Sequence, residues 1–204
     1  MQFRAFKFLA SLVPLTPCPS DLVEEVERVA RGNPGPGSRE VLDVGCCGGA
    51  LGAHLIQRGF QVTGVDWDAY YLSKARERGY ARVIEADLTR PLSQIQDGSF
   101  PIVMASEVLE HIPAGALEAL LSELHRVCRG TLVVTAPNRD HLLCKAVDFF
   151  FFERGWLDLF HMGRHCQQFS PAGLKALLEK AGFSVERSTL RLGGSNIMLT
   201  ARKR

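Results

Sequence analysis

The chain has 204 residues, 46% of them hydrophobic and 23% charged, with a formal net charge of +2. That length can close one domain around a full core, and the composition is that of a soluble globular protein. The near-neutral charge gives no reason to expect a nucleic-acid partner, and no apolar run is long enough to span a bilayer.

The opening segment MQFRAFKFLASLVPLTP carries Arg4 and Lys7 and no acid before Asp21. It lacks the long apolar core and small-residue cleavage site of a secretory signal. The favoured expectation is a segment that packs on the domain or covers its active site; an organelle transit peptide or a surface-lying helix stays open. Ser20 opens the helical pattern SDLVEEVERVARG, with Ser20 as N-cap and Gly32 at its end. GNPGPGS (32–38) reads as a linker. Residues 1–38 are thus expected to be a helical segment plus linker, and 39–204 the main domain.

From there strands and helices alternate. EVLDV (40–44) reads as a buried strand, followed by a glycine-rich turn and a helix to about Arg58. QVTGVD (61–66) is the second strand, and AYYLSKARERG (69–79) a helix closed by glycine. ARVIEAD (81–87) and PIVMAS (101–106) are the third and fourth strands. AGALEALLSELHRVCRG (114–130) is an amphipathic helix ended by Gly130, and TLVVTAP (131–137) the fifth strand. After 141–168 comes FSPAGLKALLEKAGF (169–183), a helix with Ser170 as N-cap and Pro171 at its first position. SVERSTLRL and SNIMLTARK then form a hairpin around Gly193 and Gly194. This rhythm predicts an α/β fold of three layers: a mostly parallel seven-stranded sheet, helices on both faces, and a C-terminal antiparallel hairpin.

In such a sheet ligands sit at the carboxyl ends of the strands. The stretch DVGCCGGALG follows the first strand. Asp66 ends the second, 21 positions after Gly45, where an acid can accept hydrogen bonds from a ribose diol. Asp43 decides between ligands, because a carboxylate at this turn repels a pyrophosphate and welcomes an ammonium or sulfonium. The glycines miss GxGxxG, and no GK[ST] follows, which argues against dinucleotides and nucleotide hydrolysis. An NAD-dependent reductase would also need a catalytic tyrosine–lysine pair, and Tyr70, Tyr71 and Lys74 fall in the wrong place for one.

Six cysteines stand at positions 18, 46, 47, 128, 144 and 166, without a CxxC pair. They read as reduced thiols of a cytoplasmic protein.

VLDVGCCGGALGAHLIQRGFQVTGVDWD, ARVIEADLTRPL, FPIVMASEVLEHIP and FSPAGLKALLEKAGFSV together resemble the class I, Rossmann-like S-adenosylmethionine-dependent methyltransferases. The nearest likeness is to the small-molecule branch that includes ubiquinone-type O-methyltransferases. The resemblance runs from about Glu40 to the C-terminus. It implies S-adenosyl-L-methionine as cofactor and the following roles. Asp43 and Gly45 hold the methionine end, with Cys46 at a position where the family often carries cysteine. Gly49 lets the backbone approach the cofactor. Asp66 binds the ribose hydroxyls, and Trp67 lies on the adenine side. Asp87 and Leu88 meet the adenine, and Ser106 lines the methionine end and the opening to the substrate. Cys47 departs from the DxGxGxG pattern, replacing a glycine; the expectation is that it narrows the turn without abolishing binding.

The acceptor is expected to be a small apolar or aromatic molecule. His111 is the first candidate for a general base and His165 the second. Glu107, Glu110 and His111, at i, i+3 and i+4, would share a face if helical and could bind a divalent metal, with His165 as a fourth ligand. The alternative is that His111 lines the pocket and Glu110 packs nearby, with no metal. The aromatic-rich segment 141–168 reads either as a lid or wall for an apolar or aromatic substrate, or a membrane-surface contact, or else as a core helix with Phe149 to Phe152 buried; His161 within it is a further general-base candidate. A methyltransferase fold acting as a non-catalytic partner subunit is the rival from another class.

Overall fold

The computed structural model describes residues 19–35, 37–142 and 166–204. The expectations for the N-terminal 17 residues, for His161 and His165, and for most of the segment 141–168 lie outside the described residues.

The described elements run in the order α1 (Pro19–Gly32), β1 (Glu40–Val44), α2 (Ala50–Gln57), β2 (Gln61–Asp66), α3 (Ala69–Glu77), β3 (Arg82–Glu85), β4 (Phe100–Ser106), α4 (Ala114–Val127), β5 (Cys128–Pro137), α5 (Pro171–Lys180), β6 (Phe183–Arg191) and β7 (Asn196–Lys203). Short 3-10 turns stand at Leu109–His111 and Leu192–Gly194. The seven strands form one sheet in the order β3-β2-β1-β4-β5-β7-β6. The first five are parallel, and β7 runs antiparallel to both β5 and β6. The expected fold class is the observed one.

The near-continuous apolar reading of β1, β4 and β5 follows from burial on both faces. On one face Val41, Val62, Ile102, Met104, Val133 and Met198 pack against Leu22, Val23 and Val26 of α1, Leu55 of α2 and Leu72 of α3. On the other, Leu42, Val44, Val103, Ala105, Leu132 and Val134 pack against Leu117, Leu120, Leu121 and Leu124 of α4 and Leu174 and Leu178 of α5. Helix α1 is also fastened by charge. Its buried Glu25 accepts from Arg28, from Arg187 of β6 and from the hydroxyl of Thr200 in β7. Burial pushes that carboxyl up, but the Arg28 and Thr200 hydrogen bonds outweigh it and hold it below its ordinary range.

Local chemistry explains where elements begin and end. Ser170 caps α5, its hydroxyl accepting from the Gly173 N–H at 3.1 Å, with Pro171 opening the helix. Several boundaries differ from expectation. Helix α1 already includes Ser20, so that residue is in the first turn rather than at the cap. Strand β3 is shorter than 81–87 and leaves Asp87 and Leu88 in the following loop. Helix α4 stops at Val127 and passes directly into β5, so Gly130 is a strand residue. A side chain there would meet the Pro101 carbonyl at 2.5 Å, so that glycine serves close strand approach. Pro101 itself is the second residue of β4, at an irregularity in the β4–β5 register, where a missing N–H is tolerated.

Candidate functional site

The turn after β1 is fixed by backbone hydrogen bonds. The N–H groups of Gly45 and Cys46 both donate to the Val65 carbonyl, at 2.8 and 3.0 Å, and Gly49 N–H donates to the Cys46 carbonyl at 2.9 Å. Gly45 has φ +69°, and a side chain there would strike Val108 at 2.5 Å. Cys47 has φ +46°, the left-handed region that favours glycine. The family's glycine at this place is therefore replaced by a residue held in a glycine conformation.

Asp66 joins the turn to β2. Its Oδ2 accepts from the Cys47 N–H at 2.8 Å and its Oδ1 from the Asp68 N–H at 3.1 Å. Both oxygens are thereby oriented at the carboxyl end of β2, with acceptor capacity left for a diol. Asp68 in turn caps α3 by accepting from Tyr70 N–H at 2.8 Å. Trp67, between the two acids, is 66% exposed. Asp87 closes a small turn by accepting from the N–H and hydroxyl of Thr89, and the backbone donor holds it below its ordinary range. Leu88 is half-buried against the core. Ser106, at the end of β4, shares a 3.0 Å hydrogen bond with the Thr135 hydroxyl. Asp43, the Cys46–Cys47 turn and Asp66 thus stand at neighbouring strand ends, with Asp87 past the end of β3 and Ser106 past the other side.

Asp43 is 3% exposed and pairs across the sheet with Gly64 and Met104. Its Oδ2 accepts from the Tyr80 hydroxyl at 2.6 Å. Burial, reinforced by the Asp66 charge, pushes its carboxyl up to about 7 against the pull of that hydrogen bond. Tyr80 is a site residue that reading the sequence did not find. Its ring fills a slot left by glycines: a Cβ would come within 2.6 Å of it at Gly49, 2.1 Å at Gly52 and 2.9 Å at Gly64. Gly49, expected to admit a cofactor, has its open side toward Tyr80 and Ala75.

Among the described residues, the cysteines at 46, 47, 128 and 166 are free thiols. Cys46 is buried, and burial pushes its thiol far above the usual range, so it is not a reactive thiolate.

Past β4 the expected common helical face of Glu107, Glu110 and His111 does not form. Glu107 sits at φ +55°, and a 3-10 turn follows in which Glu110 is buried and His111 exposed. Among the described residues, no three of His, Cys, Asp and Glu converge to hold a metal ion. Glu107 instead accepts from Thr135 at 2.8 Å and Asn196 at 2.9 Å. Burial pushes Glu107 up, and burial together with the Glu107 charge pushes Glu110 well up. Among the described residues, nothing hydrogen-bonds the buried Oε2 of Glu110.

An open parallel sheet with acids at consecutive strand ends, a glycine turn and an antiparallel last strand defines a Rossmann-like fold of the methyltransferase class. A profile described as methyltransferase domain matches residues 18–188. The chain belongs to this family, the class I S-adenosylmethionine-dependent methyltransferases. It is similar to the ubiquinone biosynthesis O-methyltransferase of Pseudomonas aeruginosa (strain LESB58), 32% identical over 112 residues, which cover 52% of this chain and 47% of that one. The corresponding enzyme of Hahella chejuensis is 40% identical over 82 residues, covering 38% of this chain and 34% of that one. The match thus spans about half the length of these relatives or less. In structure the chain is similar to a protein from Pyrococcus horikoshii OT3, with a TM-score of 0.71 at 19% identity, covering 96% of this chain and 98% of that one. It is also similar to the magnesium protoporphyrin IX methyltransferase of Synechocystis PCC 6803, crystallised with bound S-adenosylmethionine, at a TM-score of 0.63 and 21% identity, covering 91% and 78%.

Proposed function

We propose that this protein transfers a methyl group from S-adenosyl-L-methionine to a small, apolar or aromatic acceptor. The observation that carries the reading is the pair of buried acids at the ends of β1 and β2, Asp43 and Asp66, bracketing a glycine turn, where two carboxylates disfavour a phosphate and favour a cationic ligand. Asp43 meets the ammonium of the methionine end. Asp66, already oriented by the Cys47 and Asp68 amides, accepts from the ribose hydroxyls. Trp67 and Leu88 flank the adenine, and Asp87 takes its amino group. The cofactor supplies an electrophilic methyl carbon on a sulfonium. The chain's part is to hold the acceptor nucleophile in line with that carbon and to exclude water. For a hydroxyl acceptor the new oxygen–carbon bond forms as the carbon–sulfur bond breaks, and the hydroxyl proton leaves to a base. His111, exposed on the turn past β4, is the proposed base.

The similarity to ubiquinone biosynthesis O-methyltransferases supports an oxygen acceptor on a small aromatic ring. The test is a screen of phenolic, quinol and lipid acceptors with methyl-labelled cofactor, with His111→Ala alongside wild type. Label transfer to a phenolic or quinol oxygen is expected, and His111→Ala should slow it about 100-fold. Cofactor binding without transfer to any acceptor would instead mark a non-catalytic partner protein. Glu107, Glu110 and His111 do not converge on a metal position, so the metal-dependent alternative is tested directly by running the assay with EDTA and with added magnesium. Loss of activity in EDTA, restored by magnesium, would identify the metal-dependent form of the reaction.

A further inference from the structure

The glycines of the turn do more than leave room for a ligand. Gly49, Gly52 and Gly64, from the turn, α2 and β2, enclose one buried aromatic ring, that of Tyr80. Its hydroxyl donates to Asp43 at 2.6 Å and lies against Gly52 in the first turn of α2, where a Cβ would come within 2.1 Å of it. The first turn of α2 thereby packs directly on the hydroxyl that holds the acid at the end of β1.

We propose that Tyr80 is a positioning residue of the cofactor site, fixing the Asp43 carboxylate so that it meets the ligand's ammonium group ionised and oriented. The role rests on the reading of Asp43 given above. A carboxylate held by one strong donor engages a cation without reorienting. Asp43 also needs the donor to stay charged. Its titratable neighbours are Asp66 on β2, whose charge opposes ionisation, Cys46 of the turn, whose thiol stays neutral, and Tyr80 itself; Met104 on β4 carries no charge. Burial already holds Asp43 at about 7, and the Tyr80 hydroxyl is the one group among these that pulls it down. A protonated Asp43 does not attract an ammonium.

The experiment compares S-adenosylhomocysteine binding to wild type, Tyr80→Phe, Asp43→Asn and the double variant by calorimetry from pH 6 to 8.5. The ligand's own titration is common to all, so the ratio of dissociation constants reports the protein. If loss of the hydroxyl raises Asp43 by about one unit, Tyr80→Phe binds about tenfold more weakly at pH 6 and within about twofold at pH 8.5. In the Asp43→Asn background the second change has no effect. A ratio that is the same at every pH, or near one throughout, overturns the role while leaving the methyltransferase reading intact. A wild type that does not bind the probe removes that reading and this role together. Should Tyr80→Phe fail to fold, carbon-13 NMR of ring-labelled tyrosine in the wild type takes its place. The Tyr80 signal must then titrate near pH 7 and stop doing so in Asp43→Asn; a signal that does not titrate in the wild type overturns the proposal.

Discussion

Cys47→Gly tests the local physics of the turn. Cys47 stands at φ +46°, and a non-glycine residue in the left-handed region costs about 1–2 kcal/mol relative to glycine. Replacing it relieves that strain. The opposing effect lies in the unfolded chain, where glycine's extra freedom costs about 0.5–1 kcal/mol on folding. The hydrogen bond to Asp66 comes from the backbone N–H and survives the change. The net expectation is a gain of about 0.5–1 kcal/mol, or a rise of about 1–4 °C in unfolding midpoint for a chain of this size. Thermal unfolding by circular dichroism reads the stability, and calorimetric titration with S-adenosylhomocysteine reads the site. Affinity should be equal or improved. A loss of more than about 1 kcal/mol, or a tenfold loss of affinity, would refute the reasoning and give the thiol a role of its own.

Three further outcomes follow from the same geometry. Gly52→Ala puts a methyl group 2.1 Å from the Tyr80 hydroxyl and should cost about 1–3 kcal/mol in denaturant unfolding while weakening cofactor binding; a neutral result would mean the slot is looser than described. Glu25→Ala leaves Arg187 and Thr200 without their shared acceptor and should cost about 3 kcal/mol, with no change in affinity for the cofactor at a temperature where the variant is folded. Asp43 has a folded value near 7 against an ordinary 3.8, so the stability it contributes is complete below the unfolded value and is lost as pH rises through about 7. That loss is about 4 kcal/mol in full, of which about 2–3 kcal/mol falls between pH 5 and 8. In ligand-free protein, unfolding free energies at pH 5 and 8 should therefore differ less for Asp43→Asn than for wild type, and equal differences would contradict the placement of Asp43.

The parts legible in the sequence were those governed by local pattern. The runs EVLDV and PIVMAS announce doubly buried strands because the structure covers both of their faces. Ser170 and Pro171 announce α5 because a cap is a contact within one turn. The position of Asp66 at a strand end was legible because the strand pattern QVTGVD stops at it. The missed features depend on contacts between distant residues. Tyr80 reaches Asp43 across 37 positions, and no periodicity marks a tyrosine that enters a glycine slot. A hint was present in the three glycines at 49, 52 and 64, which exceed what the turn alone needs. Gly130 looked like a helix terminator because its role, the approach to Pro101, belongs to the neighbouring strand. Glu107, Glu110 and His111 suggested one helical face, but the left-handed Glu107 breaks the helical spacing before it starts. There the hydrogen bonds to Thr135 and Asn196, from two other strands, stand in place of the local propensity.

The acids at the ends of β1 and β2 are proposed to form an S-adenosylmethionine site. Equilibrium binding of S-adenosylmethionine and of NAD to wild type and Asp66→Ala tests it most directly. One site for S-adenosylmethionine is expected, with a dissociation constant in the range of roughly 1 μM to 1 mM that is at least tenfold weaker in Asp66→Ala, and NAD should not bind. Binding of NAD, or no binding of S-adenosylmethionine at millimolar concentration, would contradict it.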